Sequence, residues 1–174
     1  MTNFDFLKSK RIQFANGLSL KEIETIENIY EIKFPLSMKE LLFRGVPISE
    51  GFYHWHDLSE SNIRNIKDAI SNPFCYILDN IADIDWLEEK SFLDMDSKII
   101  FAQNELKKAP KLIPLYAHRY IPIIELDDPP ILSVHGFDIV CYGRNMFDWI
   151  RHEFEHAQYY CELEIHVPFW LEIC

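Results

Sequence analysis

The sequence predicts an α+β fold: a mostly antiparallel central sheet from the second half of the chain, flanked by helices from the first half and by the last helix. Three observations predict it. Capping boxes and apolar residues at helical spacing fill the first half. Short apolar runs separated by turn residues occupy 111–143, KLIPLYAHRYIPIIELDDPPILSVHGFDIVCYG. Helices precede strands instead of alternating with them, which argues against βαβ winding.

Each element follows from local chemistry. Residues 3–14 read as a short amphipathic helix with Phe4, Leu7 and Ile12 or Phe14 on its apolar side. Ser19 and Glu22 form a capping box, and Leu20, Ile23, Ile26 and Tyr30 continue at helical spacing, so 20–31 is a helix. Phe34-Pro35 stops it. Ser37 and Glu40 form a second capping box, opening a helix that ends near Gly45. Residues 51–57, GFYHWHD, read as an aromatic strand. Ser59 or Ser61 caps a helix whose stripe is Ile63, Ile66 and Ile70, ending before Pro73. Residues 74–87 are partly helical with Trp86 closing them, and 88–110 hold a loop and a short helix, FAQNELKKA.

Strands are predicted over 112–116, 120–126, 131–134 and 138–142, with turns at 127–130 and at His135-Gly136. Gly143 releases the chain into a helix over 145–160, and the tail 163–174 reads as an edge strand that tolerates Pro168. We read 1–174 as a single domain with 1–18 as a candidate N-terminal helical extension.

The 48% hydrophobic content, with 13 Phe, 8 Tyr and 4 Trp, supplies a core that needs no metal or disulfide staple. A net charge of −11 disfavours nucleic acid and anionic membranes and favours a basic protein partner. Cys75, Cys141, Cys161 and Cys174 show neither CxxC nor metal-ligand spacing. Cys141 and Cys161 read as small core residues, so the chain is expected to be reduced and cytoplasmic. The start lacks the apolar core of a secretion signal, and no apolar run reaches the ~20 residues that span a bilayer.

One motif invites a catalytic reading. His152-Glu153-Phe154-Glu155-His156 matches H-E-x-x-H, in which two histidines one helical turn apart bind zinc and the glutamate activates water. Orientation argues against it: Phe147, Ile150, Phe154, Ala157 and Cys161 define the apolar face, and both histidines point roughly 130–170° from its centre. Glu162, Glu164, His166 and Glu172 are available as a third ligand, none in a persuasive helical context. His54 and His56 flank Trp55 on one strand face and read as ordinary polar residues. Asp83-Asp85 and Asp94-Asp96 fall in polar, solvated segments. With no Gly-rich phosphate loop and no nucleophile elbow, we assign no catalytic residue, cofactor or metal ligand.

Four segments carry a resemblance in order: 34–42, FPLSMKELL; 51–60, GFYHWHDLSE; 110–122, PKLIPLYAHRYIP; and 132–145, LSVHGFDIVCYGRN. Over about 19–154 the chain resembles the Smi/Knr-type proteins of the SUKH superfamily, named after fungal regulators of cell-wall glucan synthesis. Two features depart from that pattern. Ala117 stands where the pattern has glycine, and the stretch around Trp86 lacks a second tryptophan-glycine step.

The resemblance implies an immunity protein that binds a bacterial toxin domain, often a nuclease, and blocks it without catalysis. A scaffold or regulatory adaptor like the fungal namesakes is the alternative, and a zinc peptidase through 152–156 the third reading. His118, Arg119 and Tyr120 either line a recognition groove or are structural, with Arg119 pairing a carboxylate such as Asp138. Trp55, Trp86 and Trp149 line the core or a groove. Trp149, His152, His156 and Tyr160 share one face of the predicted last helix and form our candidate partner surface.

Overall fold

Four strands, β3 (Leu112–Tyr116), β4 (Arg119–Pro122), β5 (Ile131–His135) and β6 (Asp138–Gly143), pair antiparallel in sequence order. The computed structural model describes residues 2–80, 94–157 and 167–171. The α+β expectation and the strand positions hold, although β4 ends at Pro122 rather than at 126. The turns Ala117-His118 and Gly136-Phe137 each hold two residues, closing pairs Tyr116↔Arg119 and His135↔Asp138. In an antiparallel meander both turns fall at the same end of the sheet.

Side chains alternate across the pleat and feed two apolar clusters. Ile121 and Ile131 join the first, with α1 (Asn3–Ser9), α2 (Leu20–Tyr30), α3 (Leu36–Arg44) and α6 (Met146–Glu155). Tyr120, Leu132, Val134 and Ile139 join the second, with Ala102 and Leu106 of α5 (Met95–Leu106) and with Val167, Phe169 and Trp170. The long α4 (Glu60–Asp79) serves both, through Ile66 and Ile77 respectively. Gly143 permits the entry of α6: a Cβ there would lie 2.6 Å from the Trp149 amide nitrogen.

Several local expectations are corrected. The first helix ends at Ser9, and Phe14–Ala15 forms β1, paired with β2 (Val46–Pro47). Its Phe6 and Leu7 are buried in the first cluster, so α1 is part of that core. Ser19 and Glu22 do form the capping box of α2. Ser37 does not cap α3; Pro35 occupies that position, and the Ser37 amide donates to the Asp127 carbonyl at 2.9 Å. Residues 51–57 are turns with a single bridge, Phe52↔Tyr116, rather than a strand. Asp94 caps α5, which starts well before Phe101.

The largest correction is at Pro73, which lies inside α4 instead of ending it. Proline cannot donate to the carbonyl four residues back, so Ala69 loses its helical partner. The Tyr120 hydroxyl donates to that carbonyl at 3.3 Å, and the helix continues to Asp79.

At the C-terminal end, α6 stops at Glu155, with His156 in a left-handed cap conformation. The described part of the tail, 167–171, is turn rather than strand. Cys141 is disulfide-bonded, correcting the expected free thiol. No described helix is long and apolar enough to cross a membrane.

Candidate functional site

The polar groups singled out from sequence converge where β4, β5 and β6 meet α6. Arg119 is 8% exposed, and its Nε donates to Glu153 Oε2 at 2.9 Å. Its Nη1 donates to Ser133 Oγ at 2.9 Å, and the guanidinium lies 3.6 Å from the centre of the Tyr142 ring. A planar cation suits this arrangement, because its edge satisfies two acceptors while its face stacks. Tyr142 also stacks on His152, with ring centres 4.0 Å apart and planes 10° off parallel. His152 Nδ1 is 3.0 Å from the Tyr142 carbonyl.

These contacts settle what each predicted residue touches. Arg119 pairs with Glu153, not Asp138; the structural reading had the right residue and the wrong acid. Tyr120 is 4% exposed on the opposite sheet face, and burial, with Tyr53 beside it, pushes its phenol far above the ordinary range. Trp55 and Trp149 are buried in the first cluster at 1% and 0% exposure. Trp149 therefore does not share a surface with His152, which corrects the expected helix face. His118 and His156 are exposed and His152 is half-buried. Trp86 and Tyr160 lie outside the described residues.

The H-E-x-x-H arrangement is dismantled by the fold. Its glutamate is committed to Arg119, and His156 stands past the last helical turn. Among the described residues, no group of three or more His, Cys, Asp or Glu is arranged to hold a metal. His54 and His56 lie with ring centres 6.0 Å apart, in a turn rather than on a strand, and His54 Nε2 is 3.2 Å from the Ile48 carbonyl.

A second pair assembles instead at the turn end of the sheet. His118 and His135 lie with ring centres 6.0 Å apart and planes 73° apart, and both are exposed. Desolvation, then the charges on Arg119 and His135, hold the His118 imidazole below its ordinary range. Their 17-residue separation in sequence hides this pair; the register of β4 against β5 creates it.

Sequence reasoning also missed Glu27. It is 3% exposed and accepts from Lys33 (2.8 Å), Lys39 (2.9 Å) and the Phe34 amide (2.9 Å). Burial alone would raise its carboxyl, but those three donors outweigh it and leave the group below its ordinary value. Lys33 and Lys39 border an open groove of about 590 Å³ between the start of α3 and the β4–β5 loop, where Leu36 and Leu126 are exposed. That groove shares no lining residue with the Arg119–Glu153 cluster.

Comparison of the chain with protein-family models, with curated proteins and with solved structures yields no match.

Proposed function

We propose that this chain is a non-catalytic protein-binding domain, acting as an immunity protein that occludes a toxin domain with a basic surface. The net charge of −11 carries the reading. Such a field steers a basic partner, a nuclease domain being a suitable class, and repels nucleic acid. The SUKH-like segments of the sequence support the same role. So does the use of the site's ionisable groups: Glu153 and Arg119 neutralise each other under a helix, an arrangement that stiffens a surface and leaves neither group poised for chemistry.

The proposed docking face is the turn end of the sheet with the end of α6. It displays His118, His152, His156 and the 46% exposed Val140 above the buried Arg119, with Tyr120 buried on the opposite sheet face. In this reading Arg119 and Tyr120 position the face without touching the partner. The test is co-expression with basic toxin domains, any encoded next to this chain's gene being taken first. Restored growth and a 1:1 complex whose association slows with added salt are expected; unrestored growth overturns the proposal.

A further inference from the structure

Three pairs of histidines occur among the described residues, and the fold treats them differently. In the 152/156 pair, His156 has left the helix on which the spacing depended. In the 54/56 pair, the hydrogen bond from His54 Nε2 to Ile48 leaves Nδ1, the nitrogen crowded by its own main chain, as the remaining ligand atom. The 118/135 pair joins two neighbouring hairpins, and neither ring is hydrogen-bonded among the described residues.

We propose that His118 and His135 form an open two-histidine site for a divalent transition metal of the imidazole-preferring class, such as Zn²⁺ or Ni²⁺. Geometry carries the inference. Two imidazoles on a tetrahedral ion at ~2.1 Å place their ring centres roughly 5 Å apart. The observed 6.0 Å lies within about 1 Å of that spacing, and exposed rings reorient on the ps–ns scale to close it. Softness selects the ion, since imidazole suits zinc, nickel and copper, whereas magnesium and calcium demand oxygen.

The surrounding charge is compatible. Arg119, Glu153 and Asp138 are the charged neighbours of His118, and the Arg119–Glu153 ion pair leaves Asp138 as the net local charge. The described residues supply two ligands, so the other coordination positions are open to water or a docked partner. Binding therefore clips the β3–β4 turn to the end of β5 and adds stability that grows with the logarithm of the free-ion concentration above Kd.

The test is thermal unfolding and calorimetric titration of the full chain with Zn²⁺, Ni²⁺ and Mg²⁺. One ion of Zn²⁺ or Ni²⁺ per chain should bind and raise the melting temperature, reversibly on chelation, while Mg²⁺ does neither. His118→Ala and His135→Ala should each weaken binding at least roughly tenfold, by the scale on which even outer-sphere changes act. Both positions are exposed, so circular dichroism should show both variants folded. His56→Ala should bind as the parent does. Failure to saturate, full binding by the His118→Ala/His135→Ala double variant, or loss with His56→Ala would each overturn the site.

Discussion

Arg119 and Tyr120 are neighbours on β4 and point to opposite faces of the sheet. Each makes a long-range polar contact with a helix. Arg119 reaches Glu153 on α6 with a charged, stacked guanidinium. Tyr120 reaches the Ala69 carbonyl of α4 with a neutral hydroxyl. The first contact joins two charges that are costly to bury apart, and the second repairs one carbonyl that a proline left unpaired. Both anchor a helix to the sheet, yet the cost of breaking them differs, because an orphaned charge is worse than an orphaned carbonyl.

The comparison is broken most directly at Glu153. Glu153→Ala leaves the Arg119 cation beneath α6 with Ser133 as its one remaining hydrogen-bond acceptor among the described residues of the cluster. Removing one partner of a buried pair costs about 3–5 kcal/mol, so the urea midpoint should fall steeply. A loss below about 1 kcal/mol would mean that the guanidinium reaches water once α6 loosens.

Glu27 sharpens the contrast, because it is more deeply buried than Glu153 while its cations are far more exposed than Arg119. The Lys33 side chain is 71% exposed and that of Lys39 27%, so both ammonium groups can return to water. Glu27→Gln should cost about 2 kcal/mol at pH 7, the scale of hydrogen bonds to a charged group, and less than Glu153→Ala. The folded carboxyl titrates below its ordinary value of 4.5, so its contribution is complete above that value and disappears as pH falls through the folded value. The Glu27→Gln variant should therefore lose less stability than the parent on acidification below pH 4.5, read from melting temperatures against pH.

On the Tyr120 face the effects are smaller. Tyr120→Phe should cost about 1 kcal/mol by stranding the Ala69 carbonyl. Pro73→Ala returns a helical donor to that carbonyl, so it should stabilise the Tyr120→Phe variant more than the parent. Equal effects in both backgrounds would sever the link between proline and tyrosine.

What was legible in the sequence follows the range of the forces involved. Ser19–Glu22 capping and the strand spacing of 112–143 depend on a few residues, and both appear as read. The helix through Pro73 was not legible, because its rescuer lies 47 residues onward in another element. Arg119 was recognisable as a residue needing a planar acceptor. Naming Glu153 required the angle at which α6 crosses the sheet. The last helix is predicted to reach 160 but stops at Glu155, because periodicity carries no information about where a helix ends.

The smallest effect concerns the turn beside Arg119, where sequence and backbone agree. Ala117 has φ 46° at the first turn position, and Gly136 has φ 63° at the equivalent position between β5 and β6. A left-handed residue with a side chain is strained by ~1–2 kcal/mol, and glycine removes that strain while loosening the unfolded chain. Ala117→Gly should thus stabilise by ~0.5–1 kcal/mol, matching the glycine that the resemblance leads one to expect there. Gly136→Ala should act in the opposite sense, since its Cβ would meet the Tyr76 ring at 2.9 Å. If Ala117→Gly lowers the melting temperature instead, the alanine methyl makes a contact at the turn that outweighs backbone strain, and the two hairpin turns are not equivalent.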